Sequence, residues 1–278
     1  AVASCDAPVV ERLRAAGAIV IGRTNMPDFG MRWQTESSLR GITRNPWDPE
    51  RTPGGSSGGE AVALATGMTP LGLGNDYGGS LRYPSQCCGT AALKPSFGRI
   101  GIVPGSESPD PLPGNQLFSV TGPMARRIDD LRLCLEILST PELRDPRWAP
   151  VPLDGPIDAT LPRVALAINP GGIDADPQVA AGLRLAADTL TDAGFHVEEC
   201  TPPHIQEAAD VWARITDGEL RSELSSQIFQ HCSKDILRFI QLTTGKALEQ
   251  DLESYLQAHT ERFNHARQWS AFFERYPL

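Results

Sequence analysis

Apolar and polar residues follow two different rhythms along this chain. Up to about residue 125, apolar runs are short and broken by Gly, Pro, Ser and Thr; beyond it, longer helical periods take over. Asp6 to Ala16 reads as a helix, with Asp6 as cap, Pro8 in the first turn and Gly17 as the stop. Ala18 to Gly22 is a continuous apolar run and predicts a buried strand. Residues 26–58 carry turn chemistry throughout and predict loop. Glu60 to Thr66 predicts a short helix, Pro70 to Gly74 a short buried strand, and Ser80 to Cys88 the start of a second helix. Ala125 to Ser139 is amphipathic, with Leu131, Leu135 and Leu138 on one side. Residues 140–162 are Pro-rich and predict a linker or surface crossing. Arg163 to Ile168, Asp176 to Ala193 and Phe195 to Glu199 then read as strand, helix and strand, a βαβ unit. From Ile205 to Tyr276 the pattern is mostly helical, ending in a long amphipathic stretch from Lys246. The class is α/β.

Composition narrows the function. The 278 residues carry 25 basic and 34 acidic side chains, a formal charge of −9, which argues against a general nucleic-acid or anionic-membrane surface. No stretch approaches the roughly 20 apolar residues of a membrane helix, and the first residues carry no signal-peptide pattern. Six cysteines, at 5, 87, 88, 134, 200 and 232, are too sparse for a disulfide scaffold and include no CxxC pair. They read as reduced, small buried side chains of a cytoplasmic protein. No His or Cys cluster has metal-ligand spacing. Lysine is confined to Lys94, Lys234 and Lys246.

The stretch most suited to chemistry is RTPGGSSGGEAVALATGMTPLGLGNDYGGSLRYP, residues 51–84. It contains two Gly-Gly-Ser units, Gly54-Gly55-Ser56 and Gly78-Gly79-Ser80, each ahead of a predicted helix. Glycines let backbone approach a ligand closely, and a helix start adds unpaired N–H groups and a positive dipole end. A hydroxyl beside such a nest suits acyl transfer. Three readings compete. A phosphate-binding Walker loop needs a Gly-Lys-Ser/Thr ending, and no lysine precedes Lys94; Gly72-Leu73-Gly74-Asn75-Asp76-Tyr77 lacks the third glycine of a dinucleotide fingerprint. Gly54 to Gly58 fits GxSxG, but a nucleophile elbow follows a strand, and here Asn45-Pro46-Trp47-Asp48-Pro49 comes before. The third reading is that these are turns and nothing more, which two such units 24 residues apart make harder to accept.

The chain resembles the amidase signature family, serine amidohydrolases with a Ser–cis-Ser–Lys triad. The resemblance rests on RLRAAGAIVIGRTNMPDFG (12–30), NPWDPERTPGGSSGGEA (45–61), PLGLGNDYGGSLRYPSQCCGTAALKPSFGRIG (70–101) and a GPMAR turn (122–126). It implies a mixed, twisted β-sheet core covered by α-helices, in one domain spanning 1–278: a Gly/Ser-rich catalytic core over 1–125 and a more helical remainder over 126–278. It matches Ser80 to the acylating nucleophile and Ser56 to the serine after a cis peptide bond. The N–H groups of Tyr77, Gly78, Gly79 and Ser80 match the oxyanion hole. Ser57, Asp76 and Arg82 match supporting positions, with a buried pair that only shapes the turn as the alternative for Asp76 and Arg82. The implied reaction is hydrolysis of a carboxamide or anilide through a Ser80 acyl-enzyme, with no cofactor or metal. The expected partner is a small-molecule amide, with no membrane and no nucleic acid; a homodimer is compatible. One alternative is the amidase component of a glutamine-dependent aminoacyl-tRNA amidotransferase, which would need partner proteins and tRNA. Another is a non-catalytic relative.

This sequence departs from the family pattern in one main respect. The family's basic lysine lies upstream of the Asp6–Ala16 helix, and here no lysine precedes Ser56. Lys94 falls in an LKP motif and reads as structural. The expectation is a fragment lacking its N-terminal lysine segment and its C-terminal part. Tyr77 is large for its place and is expected to line or narrow the acyl pocket, or to matter through its backbone alone. Cys87 and Cys88 follow the nucleophile closely, but neither has a basic partner in view.

Overall fold

The computed structural model describes residues 4–103, 110–155, 161–223, 233–244 and 251–278. Lys246, His231 and Cys232, and with Lys246 the start of the last amphipathic stretch, lie outside these residues. The contacts gather into two units, Ala1–Leu153 with Ser225–Thr243, and Asp154–Leu224 with Thr244–Leu278.

The first unit opens with α1 (Pro8–Ala15). Pro8 occupies the first turn as the sequence predicts, but Ala7 is the cap and Asp6 pairs instead with Arg14. The run Ala18 to Gly22 forms no strand, and its large side chains are open: Ile19 is 87% and Ile21 71% exposed. Apolar pattern sets a preference for burial, but a strand also needs a neighbour for its N–H and C=O groups, and no described segment pairs with this one. Residues 26–58 are irregular as expected, apart from a 3-10 turn at Asp28–Gly30 and the two-residue strands β1 (Glu36–Ser37) and β2 (Gly41–Ile42).

The helix α2 (Gly58–Ala65), strand β3 (Leu71–Asp76) and helix α3 (Arg82–Cys88) follow the predicted order. Then come β4 (Ala91–Ala92), α4 (Pro113–Phe118), β5 (Val120–Ala125) and α5 (Ile128–Leu138). The sheet runs β3-β5-β4 and is antiparallel, with Leu71 opposite Ala125 and Asp76 opposite Val120. Its middle strand is the segment that reads as a GPMAR turn and the start of a helix. Gly122 and Pro123 carry turn chemistry, yet pairing on both sides overrides it: Pro123 lacks an N–H, but its carbonyl accepts from the Leu93 N–H. The helix accordingly begins at Ile128 rather than Ala125.

Two apolar clusters hold this unit. Ala61 and Leu64 of α2 meet Leu81, Cys88 and Met124; Cys134 and Leu138 of α5 meet Ile100, with Leu71, Leu73, Val9 and Leu13 packed alongside. The predicted linker is no simple crossing over its described part. Glu142 and Asp145 are buried, the first bonded by Arg12 and Arg144, the second by Arg147 and the Ile102 N–H. These charge-assisted bonds tie residues 142–147 to α1 and to the loop before α4.

In the second unit, β6 (Arg163–Leu166) and β7 (His196–Glu199) pair in parallel, joined by α6 (Pro177–Asp192). This is the predicted βαβ unit, and Asp176 caps its helix by accepting from the Gln178 N–H. The parallel and antiparallel ladders thus belong to separate sheets among the described residues. Helix α7 (Ile205–Glu223) packs on α9 (Leu252–Arg275), Val211 and Ile215 of the first and Ala258 of the second are buried, and Tyr255 donates to the buried Glu219 across them. Between them in sequence, α8 (Lys234–Thr244) buries Ile236 and Ile240, and nearly all of it falls in the first unit. No described helix is long and apolar enough to cross a membrane.

Candidate active site

The two Gly-Gly-Ser units lie against one another at the starts of α2 and α3. Ser57 donates its N–H to the Ser80 carbonyl at 3.2 Å, so a single backbone bond joins the two serine loops. Ser56 and Ser80 are both buried. The Gly55–Ser56 peptide bond is cis. A side chain at Gly55 would stand 2.5 Å from the Arg32 carbonyl oxygen and 2.8 Å from the Trp33 carbonyl carbon, so only glycine lets this loop pack on residues 32–34. Thr35, fully buried, holds the same loop as well by donating to the Gly54 carbonyl at 2.8 Å. The Asp28–Gly30 turn comes beside Ser56 as well, since a methyl group at Gly30 would touch its hydroxyl.

The second loop is organised around Asp76, fully buried at the end of β3. Its carboxylate accepts from the Gly79 N–H at 2.8 Å and the Leu81 N–H at 3.2 Å, and from Arg82 through Nε at 2.9 Å and Nη2 at 3.0 Å. Burial alone would raise this carboxyl; the bonds from Arg82, Gly79 and Leu81 outweigh it and hold the group below the usual carboxylate range. Gly79 sits at φ +108, a conformation that favours glycine and lets the chain wrap the carboxylate. The wrap commits the Gly79 N–H to Asp76, so of the four N–H groups expected to form an oxyanion hole, this one points into the protein.

The expected residues Ser56, Ser57, Asp76, Tyr77, Gly78, Gly79, Ser80 and Arg82 are therefore brought together. Tyr77 meets Phe118 of α4 edge to face, 6.1 Å between ring centres. Lys94 is half-buried with Asp76 and Arg82 as electrostatic neighbours; burial lowers its pKa, which Asp76 counters and Arg82 reinforces. Cys88 is fully buried and its thiol is pushed up to about 11, first by burial; burial raises Cys87 too, so neither is poised as a thiolate.

Trp33 and Thr35 escape the sequence reading. Both lie in a stretch that reads only as loop. The one signal there is a tryptophan and a threonine close together in a polar segment just after the NMPDFG motif.

A model of the Amidase family matches residues 1–276, and the chain belongs to that family. It is 43% identical to an indoleacetamide hydrolase of Bradyrhizobium diazoefficiens, over all of this chain and 53% of that protein. It is 41% identical to the A-type component of a glutamyl-tRNA(Gln) amidotransferase from Symbiobacterium thermophilum, over 79% of this chain and 45% of that one. Among solved structures, a 6-aminohexanoate cyclic dimer hydrolase complexed with substrate superposes with a TM-score of 0.81 at 29% identity, covering 98% of this chain and 58% of that one. The chain thus spans about half the length of the curated relatives it matches.

Proposed function

We propose that this chain carries the nucleophile of an amide hydrolase acting on a small carboxamide, within one amidase domain. The observation that carries the reading is the bond from the Ser57 N–H to the Ser80 carbonyl, which sets two buried serine loops side by side. In this reading Ser80 Oγ attacks the amide carbonyl carbon, forming a C–O bond. Its proton passes to Ser56 and on to the lysine that the family resemblance expects upstream of α1. The carbonyl oxygen, now an oxyanion, takes hydrogen bonds from the Tyr77, Gly78 and Ser80 N–H groups. The C–N bond then breaks, with the proton returned to the leaving nitrogen, and water releases the acyl group as a carboxylate. Asp76 and Arg82 shape the turn. Lys94 supports the Asp76–Arg82 pair.

Identity over the whole chain favours a hydrolase of the indoleacetamide type over the amidotransferase component, where the match stops at 79% of the chain. The five described cysteines are free, which favours a reducing, cytoplasmic setting. The test is turnover of indole-3-acetamide and of glutamine by the purified protein, with intact-mass detection of a fluorophosphonate adduct. The expected result is amide turnover and one adduct, both abolished by Ser80→Ala, a loss of about 10⁴-fold or more. Turnover of glutamine alone would move the assignment to the amidotransferase. Turnover of neither, with no adduct, would sink the hydrolase reading.

A further inference from the structure

The peptide group between Gly78 and Gly79 is held at both ends. Its N–H donates to Asp76, and its carbonyl accepts from the Trp33 indole Nε1–H at 3.0 Å. A peptide group is planar, so fixing its N–H and its C=O together fixes its orientation. The N–H groups of Gly78 and Ser80 flank this plane directly. A change in the Gly78 ψ or the Gly79 φ alone turns one of these N–H groups relative to the other, and holding the plane at both ends opposes that change. With Gly79 at φ +108, a region in which glycine moves freely, the turn has little stiffness of its own. The clamp has to come from outside it, and Asp76 supplies only one end.

Trp33 is placed to supply the other. Its backbone packs on Gly55, directly before Ser56, and its indole nitrogen lies 4.0 Å from where a Gly79 side chain would begin, directly before Ser80. One residue therefore touches both serine loops. Its ring is backed edge to face by Phe239 of α8, with centroids 6.4 Å apart and planes at 88°. That contact limits how the indole can tilt, while 48% of the residue stays exposed. An indole N–H is a donor only, so the bond has a single sense and no alternative partner geometry.

We infer that Trp33 is a positioning residue for the reaction: through its Nε1–H on the Gly78 carbonyl it holds the nucleophile turn with the Gly78 and Ser80 N–H groups aimed at the developing oxyanion. The inference rests on the acyl-transfer reading above. It predicts an effect on the transition state and little on substrate binding.

The test compares wild type and Trp33→Phe, which keeps an aromatic ring against Phe239 and removes the donor. A second form replaces the Trp33 indole with its benzothiophene isostere, which keeps the shape and exchanges N–H for sulfur. Steady-state kinetics on indole-3-acetamide are read together with inhibition by phenylacetaldehyde, to which Ser80 Oγ adds, its proton passing to Ser56 as in the acyl-transfer step, to give a hemiacetal oxyanion. The expected result is a kcat lowered about 10–100-fold in both forms, with KM within about 3-fold and aldehyde inhibition weakened by a factor like that on kcat. An unchanged kcat in the benzothiophene form overturns the inference, as does a change confined to KM or to melting temperature. A wild type that turns over amides and labels at Ser80 while Trp33→Phe stays fully active removes the inference alone. A wild type that does neither removes the underlying reading and the inference with it.

Discussion

Two segments of the first unit invert what their residues suggest. Ala18 to Gly22 is as clean an apolar run as the chain contains, and it lies open, with Ile19 and Ile21 mostly exposed. The two glycine- and serine-rich loops around Ser56 and Ser80 are built of turn-forming residues, and they are closely held. There Ser56, Asp76 and Ser80 are buried, and every bond of the Asp76 carboxylate goes to the turn that follows it. The lesson is that apolar content states a preference, whereas order comes from groups that satisfy one another. A strand with no neighbour stays unsatisfied whatever its side chains, and a glycine-rich loop is held where its polar groups find partners, as the Gly78 carbonyl and the Gly79 N–H do.

The sharpest way to break this comparison is Asp76→Asn. Asparagine has one acceptor oxygen, so it cannot serve the Gly79 and Leu81 N–H groups and Arg82 together. The expected result is a loss of about 2–3 kcal/mol, moderated because Arg82 is itself more than half exposed. The kcat is expected to fall about 10²-fold or more as the turn relaxes. The pH dependence carries a definite sign. The folded protein holds Asp76 below the usual carboxylate range, so its contribution is full above the unfolded value of about 3.9 and is lost as pH falls through the folded value. Urea titrations between pH 6 and pH 2 should show the gap between wild type and Asp76→Asn narrowing toward acid. A gap that stays constant would mean that Asp76 is not ionised in the folded protein.

Gly55→Ala is the next test. Its new methyl group would meet backbone atoms of residues 32–34 at 2.5–2.8 Å. Backbone does not yield as a flexible side chain would, so the expected destabilisation is about 1–3 kcal/mol by denaturant melts. A neutral result would mean that the backbone of residues 32–34 yields to the methyl group and that the close packing at Gly55 does not hold the loop.

How far the sequence discloses the molecule follows from the same distinction. The helices α2, α3 and α6 and the strands β3, β6 and β7 are legible because their side-chain periods agree with their surroundings. Strand β5 is not, because Gly122 and Pro123 announce a turn and only pairing with β3 and β4 makes them a strand. The Asp6 cap fails because the helix starts at Pro8, which leaves Ala7 at the capping position and Asp6 outside it. In the site, the two serine loops and Asp76 are legible from their motif. Trp33 and Thr35 are not, since their role lies in single hydrogen bonds to the carbonyls of Gly78 and Gly54, and no local pattern encodes bonds between residues 45 and 19 apart. The commitment of the Gly79 N–H to Asp76 is hidden for the same reason: matching a motif assigns a residue, not the direction of its N–H.

The smallest effect, and the one that sharpens the comparison most directly, is expected in the apolar run. Ile19→Ser and Ile21→Ser remove side chains that are already in solvent, so each should shift stability by less than about 0.5 kcal/mol. Leu64→Ala, at a fully buried position in α2, should by contrast cost about 2–5 kcal/mol. The two isoleucine variants should also reduce concentration-dependent association in light scattering, because an open apolar run with no strand neighbour invites pairing with another chain. A loss of 2 kcal/mol or more from either would mean that the run is covered in the folded protein. The contrast between an open apolar segment and a closed polar one would then fail at its first term.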